Sequence, residues 1–244
     1  MVMPIGFPRE KLKDRYDVGA FKEDAWHAYS GTKTARLLKE HIVSPKGNSS
    51  RLLNAGAGVY ELTFDGWQDV SVDIFEEPIR NHKNPVCASI EHLPFQENTF
   101  GAVICVGEVL GYCDPAAVFQ EFQRVTEPGG LLICDFGNNR RIRNWFTREY
   151  GRAAAISADD YNGTLEQVWT YDPVYIKQLL IRNGFSIKKT WGTHTWSALA
   201  RRSGLTTSTA LALQAHLEWV NLPVNAADVI TVYATLDAGA KLRI

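Results

Sequence analysis

Residues Arg51 to Asp73 read RLLNAGAGVYELTFDGWQDVSVD. The apolar pair Leu52-Leu53 leads into Asn54-Ala55-Gly56-Ala57-Gly58, and a second β-rich run, Val70 to Val72, ends on Asp73. Strand, glycine turn, brief helix, strand and acid is the opening βαβ unit of a nucleotide-binding α/β fold. Glycines at alternate positions let the backbone turn sharply and admit a ligand where a Cβ would block it. A carboxylate at Asp73 sits where it can accept hydrogen bonds from both ribose hydroxyls.

The residues after the turn narrow the choice of nucleotide. A dinucleotide fingerprint needs a third glycine three positions after the second, so that a pyrophosphate can rest on the helix N-terminus. That position is Glu61, an anion where an anionic ligand would sit. No Gly-Lys-Ser/Thr follows the turn, so a Walker loop is absent too. What remains is a nucleoside without phosphates, such as S-adenosylmethionine, whose sulfonium and ammonium are cationic.

Working outward, 244 residues with 45% hydrophobic and 22% charged suffice for one sizeable core. The net charge of -1 provides no global basic field to gather nucleic acid. No run approaches the roughly 18 apolar residues of a membrane span, and no signal peptide is evident before Arg9-Glu10-Lys11, so a cytoplasmic protein without a membrane partner is expected. Cys87, Cys105, Cys113 and Cys134 lack Cys-x-x-Cys spacing; they read as reduced thiols, and no metal site is expected.

Residues 1–20 read as an extended arm, and Glu23 to Ile42 as a helix ended by Ser44-Pro45. Trp26 and Tyr29 on it serve either as a lid over a ligand or as docking rings on the sheet. Further strands are expected at Pro85–Ser89, Phe100–Val106, Leu131–Phe136, Phe185–Trp191 and Asp228–Leu236. Asp114-Pro115 and Asp172-Pro173 each start a helix, with a capping carboxylate followed by proline at the first helical position. Residues 137–171 are less regular, and a helix is expected across Thr209–Val220.

Beyond the glycine turn, Leu93-Pro94-Phe95 with Asn98-Thr99-Phe100, and Arg124-Val125-Thr126-Glu127-Pro128-Gly129-Gly130, follow in order. Together these resemble a class I S-adenosylmethionine-dependent methyltransferase, in the branch that acts on small molecules. The resemblance covers roughly residues 50 to 136, and 172–191 fits its later pattern. It implies an α/β, Rossmann-like, seven-stranded and mostly parallel sheet in the order 3-2-1-4-5-7-6, the last strand antiparallel, with helices on both faces. It also implies a single domain over 1–244, with an arm and lid helix in 1–48 and cap insertions at 137–171 and 192–227.

By position, the resemblance gives Gly56 and Gly58 to the cofactor's methionine side, Asp73 to the ribose and Ile74 to the adenine face. Ser89 and Ile90 would flank the adenine edge, and Val106 and Gly107 complete the cofactor set at the end of the fourth strand. Three positions depart from the family pattern: Asn54 replaces an acid, Tyr60 a glycine, and Ser89 an acid. Each is kept as a cofactor contact of altered strength.

Methyl transfer from a sulfonium mainly requires that nucleophile, carbon and sulfur be held in line and dry. A base is needed only where the acceptor arrives protonated. Glu108, Tyr112 and His194 are the candidates, His194 having packing as its plainer role. The acceptor is expected to be a small molecule, aromatic or anionic. Rings at Tyr161, Trp169, Tyr171, Tyr175, Trp191 and Trp196 would suit the first. Arg141, Arg148 and Arg152, on one face if their segment is helical, would suit the second or form a solvated face. Other reactions on the same cofactor, aminocarboxypropyl transfer or cyclisation, and a non-catalytic binding partner stay open, as does the oligomeric state.

Overall fold

The computed structural model describes residues 25–45, 48–161, 164–217, 220 and 222–239. The arm expected at residues 1–20 lies outside them. The chain runs α1 (Ala25–His41), β1 (Arg51–Ala55), β2 (Gln68–Asp73), α2 (Glu76–Ile79), β3 (Pro85–Cys87), β4 (Phe100–Cys105), α3 (Pro115–Val125) and β5 (Thr126–Gly137). It continues through β6 (Ala154–Tyr161), β7 (Thr164–Tyr171), α4 (Pro173–Arg182), β8 (Phe185–Thr193), α5 (Trp196–Arg202), α6 (Thr207–His216) and β9 (Val229–Leu236).

Seven strands form one sheet in the order β3-β2-β1-β4-β5-β9-β8, the arrangement expected, with β6 and β7 apart as a hairpin. Pairings from β3 to β5 are parallel; β9 runs antiparallel to both β5 and β8. β1 and β4 have apolar residues on consecutive positions because both sheet faces are covered. Leu53, Val103 and Cys105 face the core under α3 and α4, with Phe119, Phe122, Ile176 and Leu180. Leu52, Ala102 and Ile104 face the other way, against Leu38 and Ile42.

That second face departs from the expected βαβ unit. Between Gly58 and Gln68 the chain forms no helix, so the twelve-residue link from β1 to β2 is irregular. The N-terminal α1 instead covers this side of the sheet. Both proline-started helices form as expected: Asp114 accepts the Ala116 amide at 2.9 Å and Asp172 the Val174 amide at 2.8 Å. Residues 154–171, expected to be irregular, are a regular hairpin, and α5 precedes α6 in a stretch where one helix was expected.

Arg124 explains why two separated motifs travel together. Its guanidinium donates to the carbonyls of Phe95 and Leu93, at 2.7 and 2.9 Å, and pairs with Glu121 at 2.7 Å. Glu121 in turn accepts the Leu93 amide at 2.7 Å. The Leu-Pro-Phe turn is therefore bolted to α3 by charge-assisted bonds, which are stronger than neutral ones.

Candidate cofactor site

The site begins where β1 and β2 end side by side. The Val72 carbonyl accepts the amides of Gly56 and Ala57 at 2.8 and 2.9 Å, fastening the glycine turn to β2. Gly56 has φ of +73°, a conformation that L side chains rarely adopt. One residue further along β2, Asp73 accepts the Gly58 amide on Oδ2 at 2.9 Å and the Phe75 amide on Oδ1 at 3.0 Å. The carboxylate is buried, and burial raises its pKa above the usual range while the amides of Phe75, Gly58 and Ile74 pull it back. Each oxygen keeps a second lone pair for a hydroxyl donor.

A cavity of about 70 Å³ opens beside it, lined by Gly56, Asp73, Ile74, Phe75, Ser89, Ile90, Val109, Tyr112 and Cys113. Of the residues expected from the sequence, Gly56, Asp73, Ile74, Ser89, Ile90 and Tyr112 come together here. Phe75, Val109 and Cys113 were not anticipated. Phe75 simply follows Asp73-Ile74, whereas Val109 and Cys113 arrive on a 3₁₀ turn, Val109–Tyr112, whose position only the packing reveals. Burial with Glu91, Asp73 and Asp114 nearby pushes the Cys113 thiol up to about 12, so it stays protonated. A larger, open groove of about 580 Å³ lies at the opposite edge among the strand starts, lined by Arg51, Gln68 and Lys83. Ligands of open α/β sheets sit at the other edge, at the strands' C-terminal ends.

The remaining expected residues stand outside the cavity lining. Asn54 is buried and donates to the Tyr60 carbonyl at 3.0 Å, closing the glycine loop on itself. Tyr60 is 51% exposed. Glu61 accepts the Lys83 amide, so its charge is directed at that loop and not at the glycine turn. The exclusion of a pyrophosphate rests instead on the missing helix: without a helix N-terminus, the turn has no dipole to hold an anion.

Val106 packs under α1, and Gly107 and Glu108 form the turn after β4 with φ of +91° and +59°. Both their amides are taken by Asp135 on β5, at 3.0 and 2.7 Å. Asp135 is buried, which raises its pKa to about 6 against the pull of these two amides. The Glu108 side chain lies over Gly137, where an added Cβ would come within 2.9 Å of Oε2.

His194 is fully buried, with φ of +61°. Its ring stacks on Trp26 at 3.8 Å, and its nitrogens lie 2.6 Å from Ser30 Oγ and 3.0 Å from Ser197 Oγ. These contacts join α1 to α5, the packing role. The arginine face is not formed, because residues 140–152 hold only a 3₁₀ turn, Ile142–Asn144. Arg140 pairs with Asp172 at 2.8 Å, Arg143 with Asp228 at 3.4 Å, and buried Arg141 donates to Ser157.

The cavity's chemistry fits adenosine: a buried acceptor for sugar hydroxyls and the apolar walls of Ile74 and Ile90 for the base. The methionine end fits less well. Val109 covers Gly56 so closely that a Cβ there would lie 2.5 Å from Val109 Cγ1.

Residues 53–134 match the family model of a methyltransferase domain. A 32% identical segment of 88 residues occurs in an uncharacterised protein of Methanocaldococcus jannaschii; it spans 34% of this chain and 38% of that protein's length. Among solved structures, an S-adenosylmethionine-dependent methyltransferase of Methanosarcina mazei aligns with a TM-score of 0.54 at 16% identity, over 82% of this chain and 97% of its own. The [4+2]-cyclase SpnF aligns with a TM-score of 0.58 at 15% identity, over 89% and 84%. Geranyl diphosphate C-methyltransferase of Streptomyces coelicolor, solved with S-adenosyl-L-homocysteine, aligns with a TM-score of 0.52 at 14% identity, over 84% and 79%. The matched core segment is thus similar to a methyltransferase domain, and the sheet has the Rossmann-like fold of S-adenosylmethionine-dependent methyltransferases.

Proposed function

We propose that the protein transfers a methyl group from S-adenosylmethionine to a small-molecule acceptor. The observation that carries this reading is Asp73, buried at the end of β2 beside a glycine turn and facing a cavity with apolar walls. The bound sulfonium supplies an electrophilic methyl group and a neutral leaving group. The chain's own residues then have three tasks. Asp73 holds the ribose, Ile74 and Ile90 hold the base, and the turn Gly107–Tyr112 closes the methionine side and keeps water out. Glu108, within that turn, is the carboxylate proposed to take a proton from an acceptor that arrives protonated. The four free cysteines suit a reducing, cytoplasmic setting.

Calorimetry with S-adenosylhomocysteine tests the site. Heat that is absent in wild type at high micromolar protein, with Asp73→Ala behaving identically, would end the proposal. Incubation with S-adenosylmethionine and a panel of phenols, amines and carboxylic acids, read by mass spectrometry, tests the transfer. S-adenosylhomocysteine formed together with a product heavier by one methyl group is the expected result.

A second reading draws on the methionine end. Asn54 is spent on the Tyr60 carbonyl, and Val109 leans over Gly56, so the amino-acid tail lacks its usual carboxylate partner and would lie differently. A displaced tail favours aminocarboxypropyl transfer, whose by-product is methylthioadenosine. Detecting that compound in place of S-adenosylhomocysteine would select it. Cofactor binding with neither by-product would leave a non-catalytic partner protein.

A further inference from the structure

Residues 138–152 leave the sheet from the C-terminal end of β5, the edge that also carries the candidate site, and their apolar side chains face outward. Trp145, Phe146 and Tyr150 are 49%, 90% and 41% exposed. A phenylalanine almost wholly in water forgoes burial that folding normally exploits, and Trp145 beside it is half exposed. The base of this projection is fixed. Arg140 lies 5.9 Å from the Tyr150 ring centroid and is bonded to Asp172. From the other side Arg202, at the end of α5, donates to the carbonyls of Ile142 and Arg143 at 3.5 and 2.7 Å.

The exposed cations next to the rings are Arg148 and Arg152, within two or three residues of them in the chain, and Arg202, held against Ile142 and Arg143. Asp172 and Asp228 are buried and engaged by Arg140 and Arg143, which leaves Glu149 beside Arg148 and Arg152.

From the exposed Trp145, Phe146 and Tyr150, with Arg148 and Arg152 beside them in the chain and Arg202 at the base of the segment, we infer that this projection is a contact for an anionic membrane surface. Trp145 and Phe146 enter the headgroup layer, where aromatic rings are at home, while the guanidinium groups lie against lipid phosphates. A protein partner suits the projection less. A standard interface takes about 800 Å² from each side and a matching shape, whereas three partly exposed rings supply only a fraction of that area. A bilayer surface demands no such match. The attachment is peripheral, since no described helix is long and apolar enough to cross a membrane. It also sets the cofactor edge of the sheet toward the lipid, where an apolar acceptor would be met.

Cosedimentation of the full chain with vesicles tests this, using phosphatidylcholine alone and phosphatidylcholine mixed with phosphatidylglycerol. Binding is expected only to the mixed vesicles at low salt. The double variant Trp145→Ser/Phe146→Ser should lower it by about tenfold or more, and Arg148→Gln/Arg152→Gln by a similar factor. Because these side chains are exposed, thermal melts of both variants should match wild type. No binding at low salt would overturn the inference. So would binding that the arginine variant weakens and the ring variant leaves intact, which is simple charge attraction without insertion.

Discussion

A carboxylate sealed beneath a strand end is costly, and Asp73 in the candidate cavity and Asp135 behind the turn after β4 are two such groups. Asp73 spends one lone pair of each oxygen on a backbone amide and has the others for sugar hydroxyls. Asp73→Asn keeps the size but offers a single acceptor oxygen, so one amide loses its partner. The expected outcome is at least about tenfold weaker binding of S-adenosylhomocysteine by calorimetry, with a loss of about 1–2 kcal/mol in chemical denaturation. Asp135 behaves differently with pH. Its carboxyl ionises near 3.8 when unfolded and at about 6 in the fold, so the native state binds the proton more tightly. Ionisation at neutral pH therefore costs about 3 kcal/mol, and this group's contribution to stability improves as pH falls from about 6 toward 3.8. The protonated acid, however, can accept only one of the two amides of Gly107 and Glu108. Affinity for S-adenosylhomocysteine is thus expected to fall as pH drops through about 6, and Asp135→Asn should bind weakly on both sides of that pH. Asp69 is also raised to about 6, but it lies at the start of β2, away from this turn, and serves as an internal control.

Among the elements, α1 stands where the missing crossover helix between β1 and β2 would have packed. Leu38 is buried there against Leu52, Ala102, Ile104 and Ile133, so Leu38→Ala should cost about 2–5 kcal/mol in urea unfolding. A much smaller loss would mean that α1 rides on the sheet without completing its core. The hairpin has its own attachment: the Tyr171 hydroxyl, buried and with its pKa raised by burial, lies 3.1 Å from the carbonyls of both Leu110 and Cys113. These elements also mark what the sequence could reveal. The Asp-Pro helix starts and the consecutive apolar strands were legible because capping and two-sided burial are written in neighbouring residues. The order of the sheet was legible through the family resemblance carried by the Leu-Pro-Phe turn and the stretch Arg124 to Gly130, and Arg124 bonds that turn to α3. The absent crossover helix was not, because the glycine turn implies a βαβ unit and the element replacing its helix lies upstream in the chain. The arginine face of Arg141, Arg148 and Arg152 failed for a related reason: spacings of seven and four define a face only if the segment is helical, whereas it holds only a 3₁₀ turn and buried Arg141 is taken by Ser157 on the distant hairpin. Asp135 read as part of an apolar strand, and nothing local announced its two amides.

For the molecule as a whole, the cavity is too small for the cofactor proposed for it. Small-molecule sites usually span about 300–1,000 Å³, and this one offers about 70 Å³. The obstruction is one segment, Val109 to Tyr112, which carries Val109 over Gly56 and follows two residues of positive φ, Gly107 and Glu108. Two ties from separate parts of the fold hold it down, Asp135 from the sheet and Tyr171 from the hairpin. The cofactor proposed would therefore bind a form in which this segment has moved, with an apparent affinity reduced by the fraction of molecules in that form. Trimming the obstruction without touching either tie should raise that fraction. Val109→Ala is expected to bind S-adenosylhomocysteine more tightly, chiefly through faster association in stopped-flow fluorescence. Tyr171→Phe, which cuts a tie and keeps the obstruction, should speed association with a modest loss of stability, about 1 kcal/mol for the lost hydroxyl bond. Hydrogen exchange reports the same motion directly: amides of residues 110–113 should exchange faster in Tyr171→Phe than in wild type and slow when ligand is present. If Val109→Ala bound more weakly and exchange in this segment ignored both ligand and mutation, the valine would be part of the binding surface itself, and the closed turn would be the form that the cofactor meets.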